Sequence, residues 1–384
     1  MKVLFIQFAN SMFLRHEDCD GYWDAFYKKY NDIGYWRGEY SFEVPKWIAE
    51  IDYLIDKKEH ESKLLYCKNS LDEIFNEIEE YRPTYTLFSL MDCNKEMIKN
   101  VVKNVRNTTF IIGGYNEKYI KQLEDLFPNV IYVEEVKDEA RIFGVEYKCG
   151  TDYSLFKDWS VVPRLTLSSG CYNHCKFCTI EHGNVTPIDD EIIIQQVCSF
   201  KDLKFKLIYL DDKTFGQCKN YRILSTLSKI IKEYNEEFLG FIVQTTSGVL
   251  LKKYEDFYEI GVIVAEIGME TYNDNILKLY NKPSNCSLVD KCIEACKDDK
   301  IKLILNVVIG FPQETKETYQ NTYDLINNTL CNGVIGINPS IYTDYELEDN
   351  CGEIDFAEYE NTELSREYFN KINNLGKEKF ENGS

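Results

Sequence analysis

The chain has 384 residues, 44% of them hydrophobic, and a formal net charge of −20. That length suits two domains, each large enough to bury a real core. So acidic a surface repels phosphate backbones and argues against a large nucleic-acid footprint. The opening Met1–Phe8 run is too short for a signal peptide, and no stretch approaches the ~18 apolar residues that span a bilayer. Fourteen cysteines in a chain of this size do not describe a small disulfide scaffold; they indicate a reducing, cytoplasmic setting.

From the N-terminus to about residue 145, strand-like and helix-like segments alternate. Strands are predicted at Lys2–Phe8, Lys63–Tyr66, Tyr85–Leu90, Thr109–Ile112 and Val130–Val133, with helices near 70–81, 95–106 and 116–126. Alternation of this kind predicts a parallel sheet covered by helices, with ligands outside the carboxyl ends of the strands. A ring-rich insert follows the first strand: Tyr22, Trp23, Phe26, Tyr27 and Tyr30, then Tyr35, Trp36, Tyr40, Phe42 and Trp47. Its spacing fits an amphipathic helix and loop packed on the core better than a substrate lid. Residues 1–145 are therefore taken as one Rossmann-like domain and 146–163 as a linker.

The second domain is placed at 164–344. Its strands are predicted at Arg164–Ser168, Lys206–Leu210, Phe241–Thr245, Val262–Ile267, Ile301–Ile309 and Val334–Ile337. Ile223, Leu224, Leu227, Ile230, Ile231 and Tyr234 form an apolar stripe at helical period, and Gly261 stops another helix after Ile260. Six strand–helix units in a row predict a complete or partial parallel barrel, with chemistry at the carboxyl ends of the strands. Residues 345–384 read as an acidic segment, a docked helix over Glu363–Asn374 and a frayed end.

One motif carries chemistry. Cys171, Cys175 and Cys178 stand in the run Ser-Ser-Gly-Cys-Tyr-Asn-His-Cys-Lys-Phe-Cys, at the end of the first barrel strand. Three thiolates within eight residues can hold three corners of an iron–sulfur cube and leave one iron open. Structural zinc wants four ligands in paired spacings, and no partner CxxC pair exists. Cys292 and Cys296 share a helix face but sit in the amphipathic pattern Val289, Cys292, Ile293, Cys296, which makes them small buried hydrophobes.

This CxxxCxxC run, with an aromatic before the third cysteine, resembles the cluster motif of radical S-adenosylmethionine (SAM) enzymes. The resemblance continues through most of residues 160–342. Leu207–Phe215 (Leu-Ile-Tyr-Leu-Asp-Asp-Lys-Thr-Phe), Ile267-Gly268-Met269-Glu270 with Asn281-Lys282-Pro283, and Asn306–Thr315 around Gly310-Phe311-Pro312 resemble that fold's second, fourth and fifth strands and their ends. It implies an N-terminal Rossmann-like parallel sheet followed by a partial (βα)6 radical SAM barrel, a 4Fe-4S cluster on the three cysteines, and SAM chelating the open iron. By the same resemblance Asp211, Asp212 or Glu270 accepts bonds from the ammonium or ribose of SAM. Phe177, Gly310 and Ile337 bound its adenine. His174, inside the loop, is taken as outside the ligand set. A reductase, flavodoxin or ferredoxin is implied as electron donor.

The first domain resembles the cobalamin-binding domain that precedes the barrel in one subgroup. Ser89 ends the strand Thr86–Leu90, and Gly113 and Gly114 end Phe110–Ile112. The subgroup's DxHxxG motif, which supplies the lower cobalt ligand, is absent after the first strand. His16 lacks both the Asp two residues before and the Gly three after. Cobalamin is thus left open, and with it two reactions: methyl transfer to a small molecule or peptide, or a cobalamin-independent 5′-deoxyadenosyl-radical modification. A non-catalytic iron–sulfur module is the reading from another class. A transfer-RNA methylthiolating enzyme of the superfamily would be expected to add an N-terminal cysteine trio and a basic tail, and neither pattern is recognised. The substrate itself is not written in any motif.

Overall fold

The structure, a computed structural model, describes residues 1–8, 42–68, 70–91, 94–114, 117–178, 182–342 and 361–382. Most of the ring-rich insert and His16 therefore lie outside the described residues. The chain forms two compact units, one built on residues 1–8 and 45–158 and the other on 42–44, 159–342 and 361–382 among those described.

The elements of the first unit begin with β1 (Lys2–Phe8). After β2 (Phe42–Glu43), which belongs to the second unit, come α1 (Lys46–Tyr53), β3 (Glu61–Cys67), α2 (Leu71–Tyr81) and β4 (Tyr85–Leu90). They are followed by α3 (Lys95–Asn104), β5 (Thr109–Gly114), α4 (Glu117–Leu126), β6 (Val130–Tyr132) and α5 (Val136–Phe143). The five strands pair in parallel in the order β3-β1-β4-β5-β6. The continuous buried run Val3–Ile6 is what a parallel strand covered on both faces requires. Phe8 stacks on Phe88 at 5.9 Å and Phe88 on Phe110 at 5.9 Å, so one aromatic line crosses three neighbouring strands. Trp47, the last ring of the aromatic series, packs at 6.0 Å from Phe5, the structural role its spacing predicted.

The second unit continues with β7 (Val161–Val162), β8 (Arg164–Leu165), β9 (Ser168–Gly170), β10 (Val185–Pro187), α6 (Asp190–Cys198) and β11 (Leu207–Leu210). Then come α7 (Leu224–Lys232), β12 (Gly240–Thr245), α8 (Ser247–Glu259), β13 (Val262–Glu270), α9 (Asp274–Leu279) and α10 (Cys286–Cys296). β14 (Lys302–Ile309), α11 (Lys316–Thr329), β15 (Gly336–Ile341) and α12 (Thr362–Asn382) complete it. Six strands form one parallel sheet in strict chain order, β8-β11-β12-β13-β14-β15, with β8 and β15 as its edges. That is the α/β arrangement expected of a partial six-unit barrel.

Two strand boundaries move for identifiable reasons. The expected strand Arg164–Ser168 stops at Leu165, because the Leu167 N–H is drawn 3.0 Å to Asp212 Oδ2 and the chain enters the antiparallel β9–β10 hairpin. The last strand begins at Gly336 rather than Val334. Cys331 (φ +67°) and Gly333 (φ +92°) close a tight turn through a 2.8 Å bond from Cys331 N to Val334 O, and pairing starts only beyond it.

Candidate active site at the cysteine loop

The cysteine run lies between the strands of the β9–β10 hairpin. Gly170 opens it at φ +81°, and a side chain there would overlap the Asn184 carbonyl, so only glycine lets the hairpin close. The Gly183 N–H bonds to Cys171 O at 2.8 Å, and Cys178 N to Cys175 O at 3.1 Å. The loop is therefore tied at both ends.

Two segments clamp it. From the loop after β11, Thr214 Oγ1 lies 3.3 Å from Cys171 Sγ and accepts from Asn173 Nδ2 at 3.4 Å; Gln217 Oε1 accepts from Tyr172 N at 3.0 Å. From the end of α9, Tyr280 O accepts from Lys176 N at 3.0 Å, and Asn281 Nδ2 donates to His174 O at 2.9 Å. His174 itself is exposed and faces His182 at 5.5 Å. Between these anchors Phe177 packs 5.7 Å from Phe311 and 6.1 Å from Tyr280, in an aromatic cluster completed by Tyr342.

Cys171 and Cys175 are buried and Cys178 is partly exposed. Burial pushes the Cys175 thiol up to about 11, against the field of Lys282; Cys178, Glu270 and Cys171 also act on it, so these groups share one neighbourhood. Among the described residues no three His, Cys, Asp or Glu side chains converge on a single ion. A cube gripped at three corners asks for something else, three thiols each opposite a different iron, with no fourth protein ligand. The donor set fits that group.

Glu270 stands beside the thiols, but it is already engaged. Its carboxylate pairs with the Lys282 ammonium, both side chains about nine-tenths buried. Glu270 adopts φ +62° where a bulge interrupts the pairing of β13 with β14 between Gly268 and Glu270. Left-handed backbone at a non-glycine residue inside a bulge marks a re-aimed side chain. Gly268 makes room, because a methyl there would overlap both Glu270 Oε1 and Lys282 Nζ. Burial opposes the charge on Lys282, yet Glu270 and the Cys175 and Cys178 sulfurs together hold it above the ordinary lysine range.

The remaining predicted positions fall elsewhere. Asp211 pairs with Arg164, whose guanidinium lies 4.6 Å from the centre of the Tyr209 ring. Tyr209 Oη in turn donates to Glu266 Oε2 at 3.2 Å. Asp212 is buried, and burial raises its pKa; it accepts from Ser168 Oγ and from Leu167 N, so it brackets the β11 end to the start of the hairpin. Gly310 (φ +112°) donates its N–H to Tyr319 Oη at 3.0 Å, and Tyr319 Oη meets Ser365 Oγ of α12 at 2.8 Å. Ile337 is fully buried opposite Leu305 in the β14–β15 ladder. The spacing of the motif does not mark Lys282 or Gly268 as site residues. An isolated glycine within a strand pattern was the available signal.

In the first unit, Ser89 pairs with Gly113 and Leu90 with Gly114. A side chain on Gly114 (φ +133°) would overlap the Leu90 carbonyl, so close strand approach already accounts for this glycine. Ser89 O accepts from the buried Asn94 at 2.9 Å. Ahead of residue 100 the cysteines are 19, 67 and 93. Positions 19 and 93 lie outside the described residues, and burial pushes the Cys67 thiol up to about 12. Cys292 and Cys296 are buried as expected, with Cys292 Sγ 3.3 Å from Ser247 O.

Residues 165–326, which include the cysteine loop and both segments that clamp it, match the radical SAM superfamily. Over those residues the chain carries a radical SAM domain. The ribosomal protein uS12 methylthiotransferase RimO of Alkaliphilus oremlandii is 23% identical over 61% of this chain and 58% of its own length. The threonylcarbamoyladenosine tRNA methylthiotransferase MtaB of Aquifex aeolicus is 24% identical over 43% of each. Among solved structures, the cobalamin-dependent SAM radical enzyme OxsB, with aqua-cobalamin and SAM bound, aligns at a TM-score of 0.52 and 12% identity, over 98% of this chain and 56% of OxsB. The radical SAM methyltransferase TsrM from Kitasatospora setae, with cobalamin and a [4Fe-4S] cluster bound, aligns at 0.53 and 10%, over 88% and 74%. The chain thus spans a little over half the length of RimO and OxsB. Alignments at such identity establish a shared fold. Among the described residues no helix is long and apolar enough to cross a membrane.

Proposed function

We propose that this protein is a radical SAM enzyme that holds a 4Fe-4S cluster on Cys171, Cys175 and Cys178 and modifies a small molecule or peptide. The observation that carries the reading is the clamped loop: three thiols in the β9–β10 hairpin of a radical SAM domain, with a buried Glu270–Lys282 pair beside them. The cluster and SAM, when bound, supply one-electron cleavage of the sulfonium and an abstracting carbon radical. The chain's own contribution is placement. Thr214 and Gln217 fix one side of the loop and Tyr280 and Asn281 the other. Phe177, Phe311, Tyr280 and Tyr342 form an apolar wall that excludes water beside it. Asp212 braces the strand end, and Glu270, paired with Lys282, is the buried carboxylate beside the thiols. A flavodoxin, ferredoxin or reductase would supply the electron.

Within this class, cobalamin-type methyl transfer is our primary reading. It is supported by the five-stranded parallel sheet of the first unit and by the fold shared with OxsB and TsrM. Close strand packing accounts for Gly114, and the DxHxxG motif is absent from the sequence after the first strand. The methylthiotransferase relatives support the second reading, a cobalamin-independent radical modification. The net charge of −20 argues against nucleic acid as substrate. Products of SAM turnover under anaerobic reduction, with and without cobalamin, test the class and divide its branches. S-adenosylhomocysteine dependent on cobalamin supports methyl transfer; 5′-deoxyadenosine alone supports the second reading. Intact SAM from an iron-loaded protein under strong reduction removes the enzyme assignment.

A further inference from the structure

We propose that Lys282 is a positioning residue that sets the reduction potential of the cluster held by Cys171, Cys175 and Cys178, an inference that rests on the cluster reading above. Its placement is built from several independent features. Helix α9 ends at Leu279, Asn281 reverses the chain at φ +55°, and Lys282 N donates to Leu277 O at 2.9 Å. The same turn is fastened to the cysteine loop by Asn281 Nδ2 on His174 O. The ammonium lies 5.8 Å from the centre of the Phe177 ring, two residues from Cys175 and one from Cys178. On the opposite side, the bulge at Gly268–Glu270 and the absent side chain of Gly268 admit the Glu270 carboxylate and the Lys282 Nζ to one small space.

Among the described residues, the charged and titratable groups facing this point are Glu270, Lys282 and the thiols themselves. Of the two charged ends, it is the Lys282 ammonium that meets the Phe177 ring, in the segment between Cys175 and Cys178. A buried ion pair is costly to assemble and is retained where its orientation serves something. In the reduction step one electron enters from an external low-potential reductant, no bond forms or breaks, and negative charge develops next to the ammonium. A fixed cation in a poorly hydrated site favours the state with more negative charge, and net charge is one of the levers on cluster potential. Lys282 therefore eases reduction, while Glu270 holds it in place and tempers its field.

The test is a redox titration, followed by electron paramagnetic resonance, of anaerobically reconstituted wild-type protein and three variants. Lys282→Met lowers the midpoint by at least a tenfold change in the reduction equilibrium, ~59 mV for a one-electron couple. Lys282→Arg restores it toward wild type. Glu270→Gln, which leaves the cation without its partner, raises it. Opposite shifts from the two halves of one pair are not what a merely structural role produces. A Lys282→Met midpoint equal to wild type, or shifts of the same sign in Lys282→Met and Glu270→Gln, overturns the proposal. Should Lys282→Met fail to hold a cluster, Glu270→Gln decides alone, and an unchanged or lower midpoint overturns it. Wild-type protein that takes up no iron removes the cluster reading itself, an outcome distinct from an intact cluster with an unmoved potential.

Discussion

Gly268→Ala adds a single methyl group where the Glu270 and Lys282 side chains meet. The new carbon would overlap Glu270 Oε1 and Lys282 Nζ and lie 3.3 Å from Glu270 Cδ. Both neighbours are the ends of long side chains, so each can rotate. Neither can reach water easily, because the two side chains are only 9% and 10% exposed. Overpacking a dense interior costs ~1–3 kcal/mol, and separating a buried ion pair costs ~3–5 kcal/mol. Partial relief by rotation places the expected loss between these limits, at about 2–4 kcal/mol. Urea unfolding of the anaerobic protein reads this loss directly, and iron bound per chain after reconstitution should fall with it. A double-mutant cycle with Lys282→Met isolates the cause: if the methyl acts through the ammonium, the two changes are less than additive. A Gly268→Ala protein within about 0.5 kcal/mol of wild type, with full iron content, would refute the steric reasoning.

Three further outcomes follow from other parts of the chain. Glu139, in α5, is 5% exposed with Oε2 lacking a hydrogen-bond partner, and burial lifts its carboxyl from 4.5 to about 7. Its folded-state value lies above the unfolded one, so its contribution is complete below pH ~4.5 and is lost as pH rises through about 7, a change of about 3 kcal/mol. Glu139→Gln should flatten that part of the stability–pH curve; an unchanged slope between pH 4.5 and 7 contradicts the assignment. Asp212→Ala leaves the Leu167 N–H and the Ser168 hydroxyl without their acceptor, at ~2–4 kcal/mol for two buried groups; a urea midpoint close to wild type would show that the bracket is dispensable. Tyr319→Phe removes the shared partner of Gly310 N and Ser365 Oγ and should cost ~1–3 kcal/mol, with faster hydrogen exchange at the Gly310 amide as its local signature.

Much of the fold was readable because parallel strands covered on both faces appear as short apolar runs. Lys2–Phe8 and Thr109–Ile112 are of this kind, and chain order alone arranges the barrel strands as β8, β11, β12, β13, β14 and β15. The cysteine loop was readable because thiol spacing is a local property. What surrounds the thiols is not local. The Glu270–Lys282 pair joins residues twelve apart through a bulge and a left-handed turn, neither of which leaves a periodic trace. Asp211 and Asp212 looked alike as an acidic dipeptide, yet one pairs with Arg164 and the other with Ser168 and Leu167. Alternation along a strand end sends consecutive side chains to different neighbours. Of the paired glycines Gly113 and Gly114, Gly114 answers to strand contact, which only the register of β4 against β5 reveals.

The most direct test of the account is an iron and sulfide determination after anaerobic reconstitution, made in parallel on the wild-type protein and a variant with Cys171, Cys175 and Cys178 all replaced by alanine, each then given SAM and dithionite. About four irons per wild-type chain, with SAM consumed, against an iron-poor and inert variant, is the predicted result. Equal iron in the two proteins, or SAM left whole by an iron-loaded wild type, would contradict it.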